Sequence, residues 1–254
     1  MLSRALKTSL LVSLLIFITV VANAQDFVTN GLLAFWTFDK NTVNGDVLKD
    51  VLGKNNGKII GAPKSVPGKI NEAIEFNGTT DYIELPDMGN EEAVSVEVWV
   101  DAVAGGTLHG LVSTFGVDLW IAGVVHFKYE ADLGQLTADR CAADKIRTDM
   151  EADQWCHAMY TCDTKKNELK LYLNGELVAQ GASGAEPNNL TRMRIASEYD
   201  GRFFQGVLDE VRIYNRVLDD AEVEKNFKSK SNTLAVNPVG RLTTFWSLVK
   251  QSTY

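Results

Sequence analysis

The chain has 254 residues, 45% of them hydrophobic and 23% charged, with a formal net charge of −8 at pH 7. That acidic balance speaks against a nucleic-acid backbone or an anionic membrane surface as partner, because both would repel it. The length supports one sizeable core that buries roughly 70% of the surface of the unfolded chain.

Arg4 and Lys7 precede an apolar run from Ser9 to Ala22, and Ala22-Asn23-Ala24 places small residues at the two positions a signal peptidase reads. Residues 1–24 are therefore expected to be a signal peptide, with Gln25 as the first residue of an exported chain. The run is shorter than the roughly 20 residues a spanning helix needs. No membrane span is expected after cleavage, a retained anchor being the other reading. Loss of Arg4 and Lys7 takes the formal charge to −10.

From Gln25 onward, Asn-Gly pairs begin at Asn30, Asn44, Asn56, Asn77 and Asn174. Left-handed turn formers at that density, between short alternating runs, predict an all-β meander. Leu32 to Phe38 reads as a first strand ending at Asp39. In Val94 to Asp101 the valines take one face, leaving Ser95, Glu97, Trp99 and Asp101 on the other, and Asp118, Trp120 and Ala122 offer a similar face on a middle strand. Between Glu130 and Gln154 the sequence is charged and short of alternation, which suggests one irregular strand and loops. Leu169 to Ala179 reads as a hairpin turning on Asn174-Gly175.

Near the end, Val207 to Tyr214 alternates, with Val207, Asp209, Val211 and Ile213 assigned to one face and Leu208, Glu210, Arg212 and Tyr214 to the other. Asp219 can cap a short helix, with Glu222 completing a capping box and Leu218 and Val223 forming a hydrophobic staple. Asp209 is the odd residue, a carboxylate on an apolar face, and burying it without a partner would cost several kcal/mol. Beyond Phe227 the chain carries four basic residues and no acid, which reads as a basic tail.

The stretch GVLDEVRIYNRVL with its acidic capped helix resembles the end of bacterial laminin-G-like domains of the concanavalin A-like jelly-roll group. GLLAFWTFD at 31–39, EAIEFNGTTDYIEL at 72–85, VSVEVWV at 94–100 and WCHAMYTCDTKKNELKLYLNGELV at 155–178 carry the same resemblance in the same order. It implies an all-β fold, a two-sheet antiparallel jelly-roll sandwich with one short C-terminal helix, over residues 25–228, followed by a tail at 229–254. It also implies a structural Ca²⁺. The topology of the group brings the strand ends bearing Asp39 and Asp209 together, and its D-x-x-G-x-x-x-G loop, matched by Asp50 to Gly57, lends a backbone carbonyl, here that of Gly57. Oxygen donors suit this hard cation. The competing reading is that the two aspartates merely cap backbone N–H groups.

No strand carries the paired acids, as in E-x-D-x-x-E, that retaining glycoside hydrolysis needs about 5 Å apart. His109, His126 and His157 have no metal spacing. The expectation is a secreted or periplasmic, non-catalytic binding module that recognises carbohydrate or a glycosylated extracellular partner; the alternative is a glycoside hydrolase, intact or degenerate, of the same fold. Trp99, Trp120 and Tyr172 are the candidates for a sugar-stacking platform, against the plainer possibility that they are framework aromatics. Cys156 and Cys162, in phase with Ala158 and Tyr160, read as core residues, while a disulfide from Cys141 to either stays open.

Overall fold

Alternating apolar residues drive strands together in two layers. The computed structural model describes residues 26–106, 108–115, 121–141, 143–198 and 201–234, of which those from 26 to 233 form one unit. One layer is an eight-stranded antiparallel sheet. Its order runs Glu176–Gly181, Glu168–Leu173, Trp155–Asp163, Ala93–Ala102, Gln205–Tyr214, Glu72–Asn77 and Lys64–Pro67, with Leu32–Trp36 also paired to Gln205–Tyr214. The facing layer is made of a six-stranded sheet, which includes Gly57–Ile60, and a four-stranded one, which includes Val125–Glu130, Gln135–Arg140 and Lys145–Asp149. Val94, Val96, Val98 and Val100 from the first layer meet Ile83, Val112, Phe127, Leu136 and Ile195 from the second in one core. Among the described residues the sandwich is all-β apart from one helix, Asp220–Lys228.

The local signals act where they were read. Asn174 (φ 52) and Gly175 (φ 84) turn the hairpin left-handed between Glu168–Leu173 and Glu176–Gly181. Asp219 accepts a hydrogen bond from the Glu222 N–H at 2.9 Å, Glu222 Oε2 accepts one from the Asp219 N–H at 3.1 Å, and Leu218 and Val223 are buried together. Cys156 and Cys162 lie in the core as free thiols and Cys141 is buried as well, so the disulfide left open from Cys141 to either is not formed.

Two expectations need correction. The charged stretch after Glu130 is not loops around one irregular strand: Gln135–Arg140 pairs with Val125–Glu130 on one side and Lys145–Asp149 on the other. Its alternation is hidden because the face away from the core carries charges that pair with one another, such as Lys128 with Asp139 at 3.5 Å and Lys145 with Glu130.

The second correction concerns the closing strand. Asp209 stands opposite Trp99 and Arg212 opposite Glu97, so two residues, Glu210 and Val211, face Val98 alone. That is a β-bulge, and Glu210 (φ 54) takes its left-handed position. The extra residue switches phase: Leu208, Val211 and Ile213 all reach the core, while Asp209 turns to the outer face with Arg212. Asp209 thus does not share a face with Val211 and Ile213. The bulge sits where the neighbour of the closing strand changes, from Leu32–Trp36 beside Val211–Tyr214 to Glu72–Asn77 beside Gln205–Leu208.

Candidate functional site

The outer face of the large sheet would be open to water if the helix and the N-terminal segment did not cover it. Beneath them lies a layer of buried polar groups. Glu97, wholly buried, accepts from Arg212 Nη1 at 2.8 Å and from Asn226 Nδ2 at 2.9 Å, and lies 3.3 Å from His157 Nε2. Arg212 also pairs with Glu210 and rests against Phe35 and Phe27, 4.2 and 4.4 Å from the ring centres. Asn226 donates to the Tyr214 hydroxyl at 2.9 Å and accepts from the Val28 N–H at 2.8 Å, so one helical side chain ties helix, sheet and N-terminal segment together. Burial alone would raise the pKa of Glu97, but His157 and the Arg212 charge hold it down at about 2.

Two of the expected sugar-stacking residues belong to this layer. Trp99 is 2% exposed, stacked on Phe227 at 5.7 Å, tilted against His157 at 5.1 Å, with the Lys69 ammonium 4.2 Å above it. Tyr172 is 1% exposed and donates its hydroxyl hydrogen to Asp220 at 2.9 Å. Both hold the helix on the sheet, and neither offers a ring face to a ligand. Trp120 and Asp118 lie outside the described residues.

The expected metal ligands are only partly brought together. Asp39 Oδ1 accepts from the Glu72 N–H at 3.2 Å and its Oδ2 from Asn232 Nδ2 at 2.7 Å. Asp209 Oδ2 accepts from the Ile70 N–H at 3.0 Å, whereas its Oδ1, buried, has no partner; Oε1 of the neighbouring Glu210 is in the same position. Burial, then the Glu210 charge and, more weakly, that of Asp39, push Asp209 up to about 8, and burial lifts Glu210 to about 7 against the pull of Arg212. An unpaired buried carboxylate oxygen beside other acids fits a hard cation. Gly57, the third expected ligand, pairs with Leu48 in the six-stranded sheet, and a Cβ there would meet Ile83 and Leu85. Among the described residues no three His, Cys, Asp or Glu side chains are grouped to hold a metal. Both aspartates also do what the competing reading required, capping backbone N–H groups.

The histidines have structural surroundings. His126 Nδ1 lies 2.9 Å from Glu198, itself bound by Arg202 at 2.8 Å, and His109 packs against Tyr129 and Phe204.

A feature that sequence reasoning missed is a cleft of about 780 Å³ at one end of the sandwich. Tyr129 and Gly134 form one wall, the segment from Asp149 to Gln154 another, and Leu173 and Asn174 of the hairpin a third. Asp153, at φ 56, is pinned by its N–H to the Ala102 carbonyl at 2.8 Å. Gln135 donates to Asp149 at 3.0 Å and Gln154 donates to Glu151, and among the described residues neither carboxylate is in an ion pair. The run D-M-E-A-D, with acids at every second position entering a loop, was its one trace in the sequence.

Residues 77–224 match a laminin G family model described as the concanavalin A-like lectin/glucanases superfamily. The chain belongs to this superfamily. No curated protein sequence matches it. Among solved structures, this concanavalin A-like domain is similar to domain 4 of AbnA, a GH43 extracellular arabinanase from Geobacillus stearothermophilus determined with arabinotriose. The identity is 22% and the TM-score 0.64, covering 77% of this chain and 97% of that one. It is also similar to Trypanosoma rangeli sialidase determined with sialic acid, at 18% identity and TM-score 0.62, over 80% of this chain but only 33% of the sialidase. A structure titled as a receptor binding domain matches at 13% identity and TM-score 0.62, covering 80% of this chain and 52% of that one. At these identities the likeness is one of fold. Among the described residues no helix is long and apolar enough to cross a membrane.

Proposed function

We propose that this concanavalin A-like domain is a secreted, non-catalytic module that binds carbohydrate, on a free glycan or on a glycosylated partner, in the cleft walled by Tyr129, Asp149 to Gln154 and Asn174. The observation that carries the reading is the cleft's lining. It combines acids, amides and a tyrosyl hydroxyl with the apolar edges of Leu173 and Met150, the mix a polyhydroxylated ligand needs. The arabinotriose in the AbnA domain supports it by likeness of fold. The non-catalytic part rests on the strand acids: Glu97, Glu198, Asp209 and Glu210 are wholly buried, so none presents a carboxylate to a substrate. The cleft's own carboxylates are what a hydrolase reading would use. A glycan array followed by an assay for released reducing ends tests both; binding without release is expected, and release lost in Glu151→Gln would favour the hydrolase.

We also propose a structural Ca²⁺ held by the half-buried Asp39 and the buried Asp209. Bound there, it would offset the burial of the Asp209 charge. Thermal unfolding in millimolar Ca²⁺ and in EDTA tests this. With a dissociation constant near 10 μM the ion would add roughly 2.7 kcal/mol, a few degrees in melting temperature for a domain of this size. The gain should vanish in Asp209→Asn. Identical melting of the wild type in both buffers overturns the site.

A further inference from the structure

We infer that Cys141 is a reactive thiol for hydrogen peroxide, with His126 as the base that takes its proton and Glu198 as the carboxylate that stabilises the charged ring. The inference is independent of the carbohydrate reading and concerns the outer face of the four-stranded sheet.

Val125 and Phe127 point into the core, so His126 between them stands on the outer face, opposite Asp139 of the next strand. Two residues after Asp139, Cys141 brings its sulfur to 3.5 Å from His126 Nε2. On the other side of the ring, Nδ1 lies 2.9 Å from Glu198 Oε1. A carboxylate at Nδ1 keeps the proton there and leaves Nε2 as the acceptor facing the thiol. A nucleophile within reach of a base that a third group orients is the arrangement that activates an unionised nucleophile. His126 and Glu198 are 1% exposed or less, so these contacts do not compete with water. Burial alone would raise the pKa of Glu198, but His126, Lys128 and Arg202 hold it down, so it stays ionised. Its Oε2 is buried without a hydrogen-bond partner among the described residues, which leaves acceptor capacity for a charged ring.

Burial first, then the Asp139 charge, push the Cys141 thiol up to about 11, so it does not rest as a thiolate. The proton must therefore pass to His126 Nε2 as the new bond forms. The sulfur attacks one peroxide oxygen, the O–O bond breaks, and the departing hydroxide takes that proton from His126 to become water. Sulfur loses two electrons, the peroxide gains them, and the product is a sulfenic acid. At 5% exposure, the residue admits only a small oxidant. The two core thiols are placed differently: Cys156 faces the Glu151 carbonyl at 3.9 Å, and Cys162 meets Asn188 and Ser183. None of these is a base.

The test is mass spectrometry of the whole protein after brief hydrogen peroxide treatment, with dimedone present to trap sulfenic acid and the three cysteines read separately. In the folded protein Cys141 should be labelled at least about tenfold faster than Cys156 or Cys162, and all three alike in urea. His126→Gln should slow labelling at Cys141 by at least about tenfold. A fold merely loosened by that substitution would expose the sulfur and speed labelling, so the sign of the change separates the two effects. If the variant does not fold, the comparison of the three thiols in the wild type still decides. Equal labelling of the three in the folded protein, or labelling at Cys141 that is unchanged or faster in folded His126→Gln, overturns the inference.

Discussion

Glu97 and Arg212 show how a residue that sequence patterning places on a polar strand face ends up sealed from water. Arg212 has Glu97 and Glu210 as partners and two phenylalanine rings as walls, so its charge is matched without solvent. Glu97→Gln leaves Glu210 as the only carboxylate on Arg212, and should cost about 3 kcal/mol of stability at pH 7 by denaturant unfolding. Its pH dependence follows from the pKa held down at about 2, against about 4.3 in the unfolded chain. A depressed carboxyl contributes its stability above the unfolded value and loses it as the pH falls towards the folded one. The wild type should therefore lose stability from about pH 4 towards pH 2 more steeply than Glu97→Gln. Equal acid slopes in the two proteins would contradict the assignment. The sequence showed Glu97 as polar among valines; it could not show which partner three strands and a helix would bring to it.

Elements whose signals are local were legible, and those set by long-range covering were not. The capping box and staple lie within nine residues and specify the helix start without help from the fold, so Asp219→Ala should cost about 1 kcal/mol. Gly175 carries the left-handed turn at φ 84 and a Cβ there would meet Phe227 at 2.9 Å, so Gly175→Ala should lower stability by at least about 1 kcal/mol. Thermal or urea melts of both variants check these values; a neutral Gly175→Ala would mean that the helix moves aside freely. The bulge at Glu210 escaped because strict alternation was carried through L-D-E-V, where two adjacent acids between apolar residues already break the period. Trp99 and Tyr172 escaped for a different reason. Period-2 patterning says which residues share a face, and says nothing about a helix 48 or more residues later in the chain that covers that face.

At the scale of the molecule, the two layers, the pairing of Leu32–Trp36 with Gln205–Tyr214 and the single helix follow from patterns and from the superfamily. The end of the folded unit lies slightly beyond the expected boundary at Lys228. Ser229 and Asn232 are buried, Lys230 donates its N–H to Asp26 at 2.7 Å, and Asn232 holds Asp39. A chain ending after Lys228 should be less stable by about 2 kcal/mol than one ending after Leu234, since it leaves hydrogen-bonded acids without those donors. Equal melting of the two would show that this segment adds nothing. The cleft belongs to this scale as well, because its walls come from Tyr129, from the loop before Trp155 and from a hairpin turn that no window of sequence joins. Hydrogen exchange with and without a bound oligosaccharide is the most direct test of where this domain meets its ligand. Slowed exchange confined to the segments around Tyr129, Asp149 to Gln154 and Asn174, with the sugar recovered intact, is the predicted result; protection over the helix and Trp99 instead, or a cleaved sugar, would contradict it.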